Sequence, residues 1–499
     1  MSQRKEIQHD GTQEYLRRIE KIAAELVIAP DYHDPETGYI SSTAWQRLVE
    51  GGILDAALLE RDPTKLQEEV MRTSRMLSYH DLHLGLTYGI VAALGILPLQ
   101  RFSASEEQLA ECLQTVREGN LIGLAITEHL RSGSAALDMA SNYEIDEESQ
   151  TVKLKFAKHL QGLTGNAGMT VALLKKDAKR KTVGLFFIPQ KYIKTQVTEM
   201  AGLKGICYGV NSGEVTLDLT KHLLIELPRE KLTEFQDIFT KSRFLFVSMT
   251  LGHLERMEDE ANKYAEKRMI EGKPQAEIPA VQGALQQIRA QREVTEALYH
   301  QVIKYRDPLE KSLLDGETTE LVMQANIVKT LSTEYALQAA QLRAELAGGS
   351  AFYKAGALQD YIDIWPFQIF EGSKLFLNNQ IAGAILGPTR SEGKVFWPGF
   401  FADQSNNFGE YYFQAIKHRP MFNPHQTLKN LSEWTGLMLT QITPDKAKSE
   451  IRGVIGEIVA RLFALGCISD TQMEAKARLN LEIAQLAQYF APEFSLNIP

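Results

Sequence analysis

The sequence predicts an α+β fold of several domains, in which helical and β regions follow one another along the chain. With 499 residues, the chain exceeds the length at which a single hydrophobic core usually stops growing. Apolar residues recur at helical spacing near both ends, whereas a central region alternates with the period of a strand. We therefore expect an N-terminal helical domain (1–120), a middle β domain (121–228), a C-terminal four-helix domain (229–387) and a helical extension (388–499).

The N-terminal region is predicted to be helical. Its first helix presents one apolar face formed by Ile19, Ile22, Ala23 and Leu26. The stretch from His80 to Leu99 is apolar on nearly all sides, which predicts one helix buried among others. His80 and His83 would share a face of that helix. No further residue nearby completes a metal-ligand set, so we predict core histidines there and no metal site.

The middle region has the signals of strands. Val152, Leu154 and Phe156 alternate with lysines, and Val183 to Ile188 form a short apolar run. The polar segment Lys175–Lys181 lies between two apolar runs and is typical of an exposed hairpin connection.

Helical spacing returns after Pro228. A long helix is predicted to end where Gly348 and Gly349 interrupt it. A further helical segment is predicted from about Pro424 to Phe490.

Composition and motifs exclude several classes of protein. The net charge of -9 argues against a general nucleic-acid binder. The three cysteines (Cys112, Cys207 and Cys467) lie far apart, which fits a reducing compartment. The first residues lack the apolar core of a signal peptide, and we see no run of the ~20 apolar residues that a membrane helix needs. The glycine-rich motifs that bind dinucleotides and phosphates are also missing from the sequence. So are the metal-binding motif H-E-x-x-H and the motif C-x-x-C. We therefore expect a cytoplasmic protein without a nucleic-acid partner or a membrane span.

Two segments of the β region resemble those of the acyl-CoA dehydrogenase and acyl-CoA oxidase superfamily. Ala125–Glu128, followed by Ser132–Ser134, resembles the T-E-x-x-x-G-S segment of that family. The resemblance implies that Thr127 and Ser134 bind the flavin, and that Ser134 also lies near the carrier end of the substrate. Lys158–Gly165 is similar to both K-x-W-I-T-N and W-P-G-G-L-G, which places Thr164 beside flavin N5; Gly162 stands in place of the Trp.

Two further segments continue the resemblance in the same order. Lys241–Arg243 resembles the K-T-R that opens a long helix, which implies that Arg243 binds the pantetheine or nucleotide part of the substrate. Thr240 stands where an Asp commonly contacts coenzyme A, so an acyl carrier protein is an alternative carrier of the substrate. Arg268 and Gln282 match the two ends of a segment that contacts the diphosphate of FAD in the family.

The last segment lies at the end of the predicted four-helix domain. Ala347–Phe352 resembles L-G-G-x-G-(F/Y), which implies that Gly348 and Gly349 meet the FAD diphosphate of a neighbouring subunit. Gln368–Ser373 resembles Q-I-(Y/F)-E-G-T, which assigns the catalytic base to Glu371 and a cofactor contact to Ser373. We expect its apolar neighbours Trp365, Phe367, Ile369 and Phe370 to raise the pKa of Glu371.

The resemblance implies an FAD-dependent enzyme that removes hydrogen from Cα and Cβ of an acyl thioester, carried on coenzyme A or an acyl carrier protein, in lipid or polyketide metabolism. Electron-transfer flavoprotein or oxygen would accept the electrons, and a homodimer or homotetramer is expected. Two alternatives remain open. Gly162, Leu163 and the long extension favour an oxidase, whereas the replacements at Gly162, Glu345 and Ile362 favour an inactive scaffold without flavin.

Overall fold

The computed structural model describes residues 9–59, 63–131, 136–163, 168–176, 181–304, 318–353, 356–386, 450–468 and 472–490. The chain forms two compact units, Met1–His253 and Leu254–Pro499. Helices, then a β region, then helices follow one another, which confirms the predicted α+β class. The division into four domains stays a prediction.

Helices fill the first part of the first unit. They are α1 (His9–Leu26), α2 (Ser42–Glu50), α3 (Asp55–Leu59), α4 (Pro63–His80), α5 (Leu82–Gly89), a π-helical segment (Ile90–Ile96), α6 (Leu97–Phe102) and α7 (Glu106–Arg117). The predicted apolar face of α1 is confirmed: Ile19, Ala23 and Leu26 are fully buried, and Ile22 is half-buried.

The prediction of one continuous helix from His80 to Leu99 was wrong. Asp81 has extended backbone angles (φ -154°, ψ 124°), and its carboxylate accepts hydrogen bonds from the backbone N–H groups of His83 (2.6 Å) and Leu84 (3.3 Å). A short acidic side chain that caps a new helix ends the preceding one. His80 and His83 therefore belong to different helices and do not share a face.

The expectation that no apolar segment is long enough to cross a membrane also needs correction. Leu82–Phe102 spans 21 residues with a hydropathy of 1.8, which satisfies the criteria of length and composition. About four-fifths of it (78%) is buried inside the protein, as expected for the core helix that its apolar surface predicts.

A mixed sheet follows these helices in the first unit. Its strands are β1 (Ile122–Ala125), β2 (Asn142–Asp146), β3 (Thr151–Gly162), β4 (Gly168–Lys175), β5 (Thr182–Pro189), β6 (Lys194–Thr198), β7 (Tyr208–Asp218) and β8 (Leu223–Pro228), with the short helix α8 (Leu219–His222) before β8. The strand order is β6-β7-β3-β2-β4-β5-β8, and β1 pairs with β4 in parallel. The remaining pairs are antiparallel, apart from the β2–β4 contact.

The alternation predicted for β3 is confirmed. Val152, Leu154 and Phe156 point into a core that also contains Val171 and Leu217. Strands β4 and β5 pair as the antiparallel hairpin predicted around 175–181, although residues 177–180 lie outside the described part of the chain.

Helix α9 (Leu232–Lys267) contains the boundary between the units. It is followed by the short strands β9 (Met269–Ile270) and β10 (Lys273–Pro274), then by α10 (Pro279–Lys304), α11 (Thr318–Ala347), α12 (Ala357–Ile364) and α13 (Lys374–Leu386). Helix α11 ends where predicted, because Gly348 adopts the left-handed conformation (φ 58°) that favours glycine at a helix end.

Two helices of the extension are described, α14 (Glu450–Cys467) and α15 (Met473–Phe490). They confirm the helical prediction over this part, whereas 424–449 lie outside the described residues. Helix α14 crosses α13 so closely that a side chain at Gly456 would collide with the backbone of Asn378. The extension is therefore packed against the other helices of the second unit.

Candidate functional site

The segment that contains Thr127 is fixed to β3 in the first unit. Thr127 follows β1, and its carbonyl accepts a hydrogen bond from the backbone N–H of His159 (2.8 Å). The next residue, Glu128, is buried, and its Oε1 atom lies 2.8 Å from the Nζ atom of Lys158. The structure thus brings together the first two segments on which the family resemblance depends.

Glu128 and Lys158 form a buried ion pair, with exposed side-chain fractions of 5% and 0%. Glu128 also accepts hydrogen bonds from the backbone N–H groups of Ala140 (2.6 Å) and Ser141 (3.0 Å). Burial acts to raise the pKa of Glu128, but the bonds from Lys158 and Ser141 outweigh it and hold this pKa at about 2. Burial lowers the pKa of Lys158, against the attraction of Glu128.

This pair was missed in the sequence, although a signal for it exists. Lys158 continues the inward series of Leu154 and Phe156 at two-residue spacing, so its side chain is directed toward the core. A lysine in such a position needs a buried anionic partner. Neither the spacing nor the composition identifies Glu128 as that partner.

The glycine at position 162 has a structural explanation. A Cβ atom added to Gly162 would lie 3.1 Å from Ile90 Cδ1 and 3.4 Å from Tyr208 Cε1. These two side chains leave little room for the Trp of the related segment. Ser134 and Thr164, two of the predicted flavin-binding residues, lie outside the described residues, so their roles stay predictions.

Arg243 is placed inside the first unit rather than on its surface. Only 8% of Arg243 and 1% of Thr240 are exposed, and both lie on α9. Arg243 makes interactions within the chain. Its predicted role in substrate binding stays a prediction.

In the second unit, Arg268 lies against the glycine turn that follows α11. Its Nη1 atom donates hydrogen bonds to the carbonyls of Leu346 (2.9 Å) and Ala347 (3.2 Å). A Cβ atom at Gly348 would lie 3.1 Å from the same Nη1. A guanidinium at the carbonyl end of a helix is favourable because these carbonyls carry partial negative charge. Two predicted diphosphate-binding segments therefore meet here.

Two further residues stabilise this turn and were missed in the sequence. The Tyr264 hydroxyl lies 3.1 Å from the Ala347 carbonyl and 2.9 Å from Ser350 Oγ, and Gln275 donates to the Leu346 carbonyl (3.1 Å). No motif identifies them, because their contacts depend on the folded chain. Gln282 lies in the first turn of α10 with an exposed side chain.

The glycine turn fits a diphosphate group. A Cβ atom at Gly349 would meet no atom within 4 Å, so one side of this backbone is open. Arg268 supplies positive charge beside it, and a guanidinium has further N–H donors beyond the Nη1 atom that binds the helix carbonyls. Glycine backbone and a cation form the usual surroundings of phosphate groups in proteins.

Glu371 lies in a turn with an unusual backbone. It adopts φ 57°, and the following Gly372 adopts φ 114°. The side chain of Glu371 is half-buried. The ammonium group of the fully buried Lys329 donates to the carbonyl of Gly372 (2.7 Å) and fixes the turn to α11.

The apolar surroundings predicted for Glu371 are only partly present. Phe367 is fully buried and Phe370 is half-buried, but Trp365 and Ile369 are 50% and 57% exposed. Trp365 and Ile369 are four residues apart and lie on the outer side of the short 3-10 helix Trp365–Gln368 and the turn after it. Trp365 and Ile369 are therefore largely open to solvent, whereas Phe367 and Phe370 are the more buried members of the predicted apolar set.

Ser373 has a structural role at the start of α13. Its Oγ atom accepts a hydrogen bond from the N–H of Phe376 (3.3 Å), and its carbonyl accepts one from Leu377 (2.9 Å). These are the contacts of a residue that caps a helix N-terminus. A cofactor contact of Ser373 stays a prediction.

Comparison with known proteins identifies residues 232–386 and the fold. Residues 232–386 match the family described as "Acyl-CoA dehydrogenase, C-terminal domain". No curated protein matches the chain.

Solved structures with this fold are numerous, and the similarity extends beyond the residues matched by the family. The butyryl-CoA dehydrogenase of Megasphaera elsdenii is 17% identical, with 77% of this chain and 100% of that chain covered and a TM-score of 0.66. An acyl-CoA dehydrogenase of Bacillus anthracis complexed with FAD is 16% identical over 96% and 88% of the two chains, with a TM-score of 0.70. A prolyl acyl carrier protein oxidase is 16% identical over 75% and 98%, with a TM-score of 0.62.

These similarities agree with the order of elements in the two units: helices, a mixed sheet and a second set of helices. The family match covers α9 to α13, which includes Arg268, Gly348, Gly349 and Glu371. Residues 232–386 therefore match the C-terminal domain of acyl-CoA dehydrogenases, and the chain shares the fold of these solved structures.

Proposed function

We propose that the protein is a flavin oxidoreductase that binds FAD and dehydrogenates an acyl thioester between Cα and Cβ, with Glu371 as the base. The main support is the backbone at Glu371, a non-glycine residue with φ 57° in a turn that Lys329 fixes to α11. Left-handed backbone at such a residue costs about 1–3 kcal/mol and is concentrated at functional positions. The family match and the position of Glu371 between Phe370 and Gly372 support the same assignment.

The reaction requires a base at the α-carbon, because the α-proton of a thioester is only weakly acidic. A carboxylate takes this proton when water is excluded and the developing negative charge is stabilised. Glu371 is half-buried and follows Phe370. The Lys329 ammonium binds the carbonyl of the adjacent Gly372 and so fixes the backbone that carries the carboxylate. When bound, FAD supplies the acceptor for the hydride that leaves the β-carbon.

Eight residues are proposed to hold the cofactor. Arg268, Gly348 and Gly349 suit its diphosphate, since they combine a cation with an open glycine backbone. The other proposed contacts rest on the family resemblance and are Thr127, Thr164, Gln282 and Ser373; Ser134 is proposed to bind both the flavin and the substrate. FAD is present in one of the similar structures, which supports this cofactor.

The carrier of the acyl group is a separate question, and one observation favours an acyl carrier protein. Thr240 replaces the Asp associated with coenzyme A, so the carboxylate of that contact is missing at this position. One similar structure is an acyl carrier protein oxidase. We therefore propose a carrier-protein substrate reached through Arg243, with acyl-CoA as the second candidate. The same acyl group should turn over faster on a carrier protein than on coenzyme A, and equal rates would contradict this choice.

The decisive experiment for the reaction class is an anaerobic absorption spectrum before and after addition of a panel of acyl thioesters. A yellow protein that bleaches with one thioester supports the proposal. A yellow protein that no thioester bleaches contradicts the substrate class, and a colourless protein that does not take up FAD supports a flavin-free scaffold. Admission of air then distinguishes oxygen from electron-transfer flavoprotein as the acceptor.

We also propose a cytoplasmic homodimer or homotetramer with the four domains 1–120, 121–228, 229–387 and 388–499. Light scattering during gel filtration measures the subunit number. Limited proteolysis followed by mass spectrometry tests the boundaries, which we expect to coincide with the first cleavage sites.

A further inference from the structure

A network of charges connects the helix that follows Glu371 to the helices of the extension. Lys374 is the first residue of α13, three positions after Glu371. Its Nζ atom lies 3.1 Å from Glu334 Oε2 on α11 and 3.2 Å from Glu457 Oε1 on α14. The ammonium group therefore contacts two carboxylates, one of which belongs to the extension.

The network continues into the extension through Arg461. Its guanidinium, with 6% of the side chain exposed, donates to Glu334 (2.9 Å) and to Glu482 on α15 (2.8 Å). Tyr335 also donates to Glu482 (2.8 Å), so α11 contacts both helices of the extension. Arg478 completes the set with a contact to Glu482 (2.8 Å).

The charges of this network balance. Three cations (Lys374, Arg461 and Arg478) face three anions (Glu334, Glu457 and Glu482). Burial acts to raise the pKa of Glu334, but Arg461 and Lys374 outweigh it, so this pKa is lowered and the carboxylate is ionised near neutral pH. A balanced buried network fixes side-chain positions, because removal of one member leaves a buried charge without its partner.

The backbone that follows Glu371 is thus attached at two points. Lys329 binds the Gly372 carbonyl, and Lys374 is bound by Glu334, which lies on the same helix as Lys329. The left-handed backbone of Glu371 is a strained conformation, and such conformations persist only where the surroundings determine them fully. Loss of one attachment should therefore release the turn.

We propose that the helices of the extension position Glu371, and that Glu457 and Lys374 are the positioning residues through which they do so. The proposal rests on the proposed function, since it takes Glu371 as the base. Neither residue is expected to touch the substrate. They act by fixing the start of α13 and, with it, the direction of the Glu371 side chain.

The test uses full-length Glu457→Gln, Lys374→Gln and Lys374→Arg proteins. Arg289→Gln is the control, because it removes an exposed arginine whose ion pair on α10 (Arg289 Nε to Glu293, 3.1 Å) lies outside the network. Hydrogen exchange of peptides that cover 366–377 reports the stability of the turn without reference to activity. Steady-state kinetics and flavin content are measured on the same proteins.

We expect Glu457→Gln and Lys374→Gln to speed exchange in 366–377 by about tenfold and to lower kcat by about tenfold. KM and flavin content should stay within about twofold of the control, because the substrate and cofactor contacts are not removed. Lys374→Arg keeps the cation, so its exchange rate in 366–377 and its kcat should be close to those of the wild-type protein. The double variant Lys374→Gln with Glu457→Gln should be little worse than either single variant, as expected for one coupled interaction.

Two results would overturn the proposal. The first is hydrogen exchange in 366–377 of the Glu457→Gln and Lys374→Gln variants that equals the exchange of the control. The second, where the wild-type protein is active, is faster exchange in these variants without a change in their kcat. If the wild-type protein fails to reduce its flavin with any thioester, the proposed function is wrong. The exchange measurement still decides in that case whether the extension fixes the turn.

Discussion

Lys158 is fully buried, and its ammonium nitrogen lies 2.8 Å from the Oε1 atom of Glu128. This pair joins the segment that contains Thr127 to strand β3, which leads to Gly162 and the segment around Thr164. The two segments that are proposed to line the flavin are therefore joined by this ion pair and by the backbone hydrogen bond from His159 to Thr127. The energetic consequences of the ion pair can be tested without substrate or cofactor.

Removal of one partner of this pair should destabilise the first unit strongly. Lys158→Met leaves the Glu128 carboxylate buried without its cation, at a cost of about 3–5 kcal/mol in the free energy of unfolding. The double variant Glu128→Gln with Lys158→Met removes both charges and should lose much less than Lys158→Met alone. Urea denaturation measures the free energy of unfolding of the single and the double variant. Equal losses of this free energy in the two would show that the pair is not coupled.

The same pair should make stability depend on pH in the acid range. The pKa of Glu128 is about 2 in the folded protein, below the ordinary 4.5, so the carboxylate favours folding wherever it is ionised. This contribution is complete above about pH 4.5 and is lost as the pH falls toward 2. Urea denaturation of wild type and Glu128→Gln between pH 6 and pH 3 should show the two stabilities converging at low pH. A constant difference would contradict the lowered pKa.

Gly348 is expected to tolerate no side chain. Gly348→Ala places a Cβ atom at φ 58° and 3.1 Å from Arg268 Nη1, so it should cost at least about 1–2 kcal/mol and displace the guanidinium. Retention of FAD during gel filtration should fall as a result. Gly283→Ala is the control, because that helical position is open, and it should stabilise the protein by up to about 1 kcal/mol. Full FAD retention in Gly348→Ala would argue against a diphosphate at this turn.

Asp81 should contribute the stability of a helix cap. Asp81→Ala removes the acceptor for the N–H groups of His83 and Leu84 and should cost about 0.5–2 kcal/mol. Asp81→Asn keeps an acceptor and should lose less. Thermal unfolding followed by circular dichroism compares the two, and an unchanged midpoint in Asp81→Ala would mean that the cap is not needed to end α4.

Part of this structure could be predicted from the sequence because local periodicity determines it. The inward series Val152, Leu154 and Phe156 identifies β3, and Gly348 identifies the end of α11. The capping role of Asp81 was not predicted, because a single capping residue is hard to distinguish within a nearly continuous hydrophobic stretch. The exposure of Trp365 and Ile369 could not be predicted either, since both residues are apolar and only the folded turn decides which way they point.

Some residues of the candidate site were predicted from the sequence, whereas others were found only in the structure. Arg268 and Gly348 are 80 positions apart in the sequence, yet the structure places them in contact, which the resemblance did not predict. The contacts of Tyr264 and Lys329 depend on the packing of α9 and α11 against neighbouring turns, and no local pattern encodes them. Family resemblance therefore gave candidate residues, whereas the structure supplied the residues that position them.

The most direct test of Glu371 as the base is stopped-flow measurement of flavin bleaching in Glu371→Gln under anaerobic conditions, with the thioester that bleaches the wild-type protein. Glu266→Gln, an exposed Glu on α9, is the matched control. We predict that Glu371→Gln keeps its flavin and its fold but bleaches at least about 100-fold more slowly, as expected when a base is removed. Bleaching at the rate of the control would contradict the assignment and place the base elsewhere.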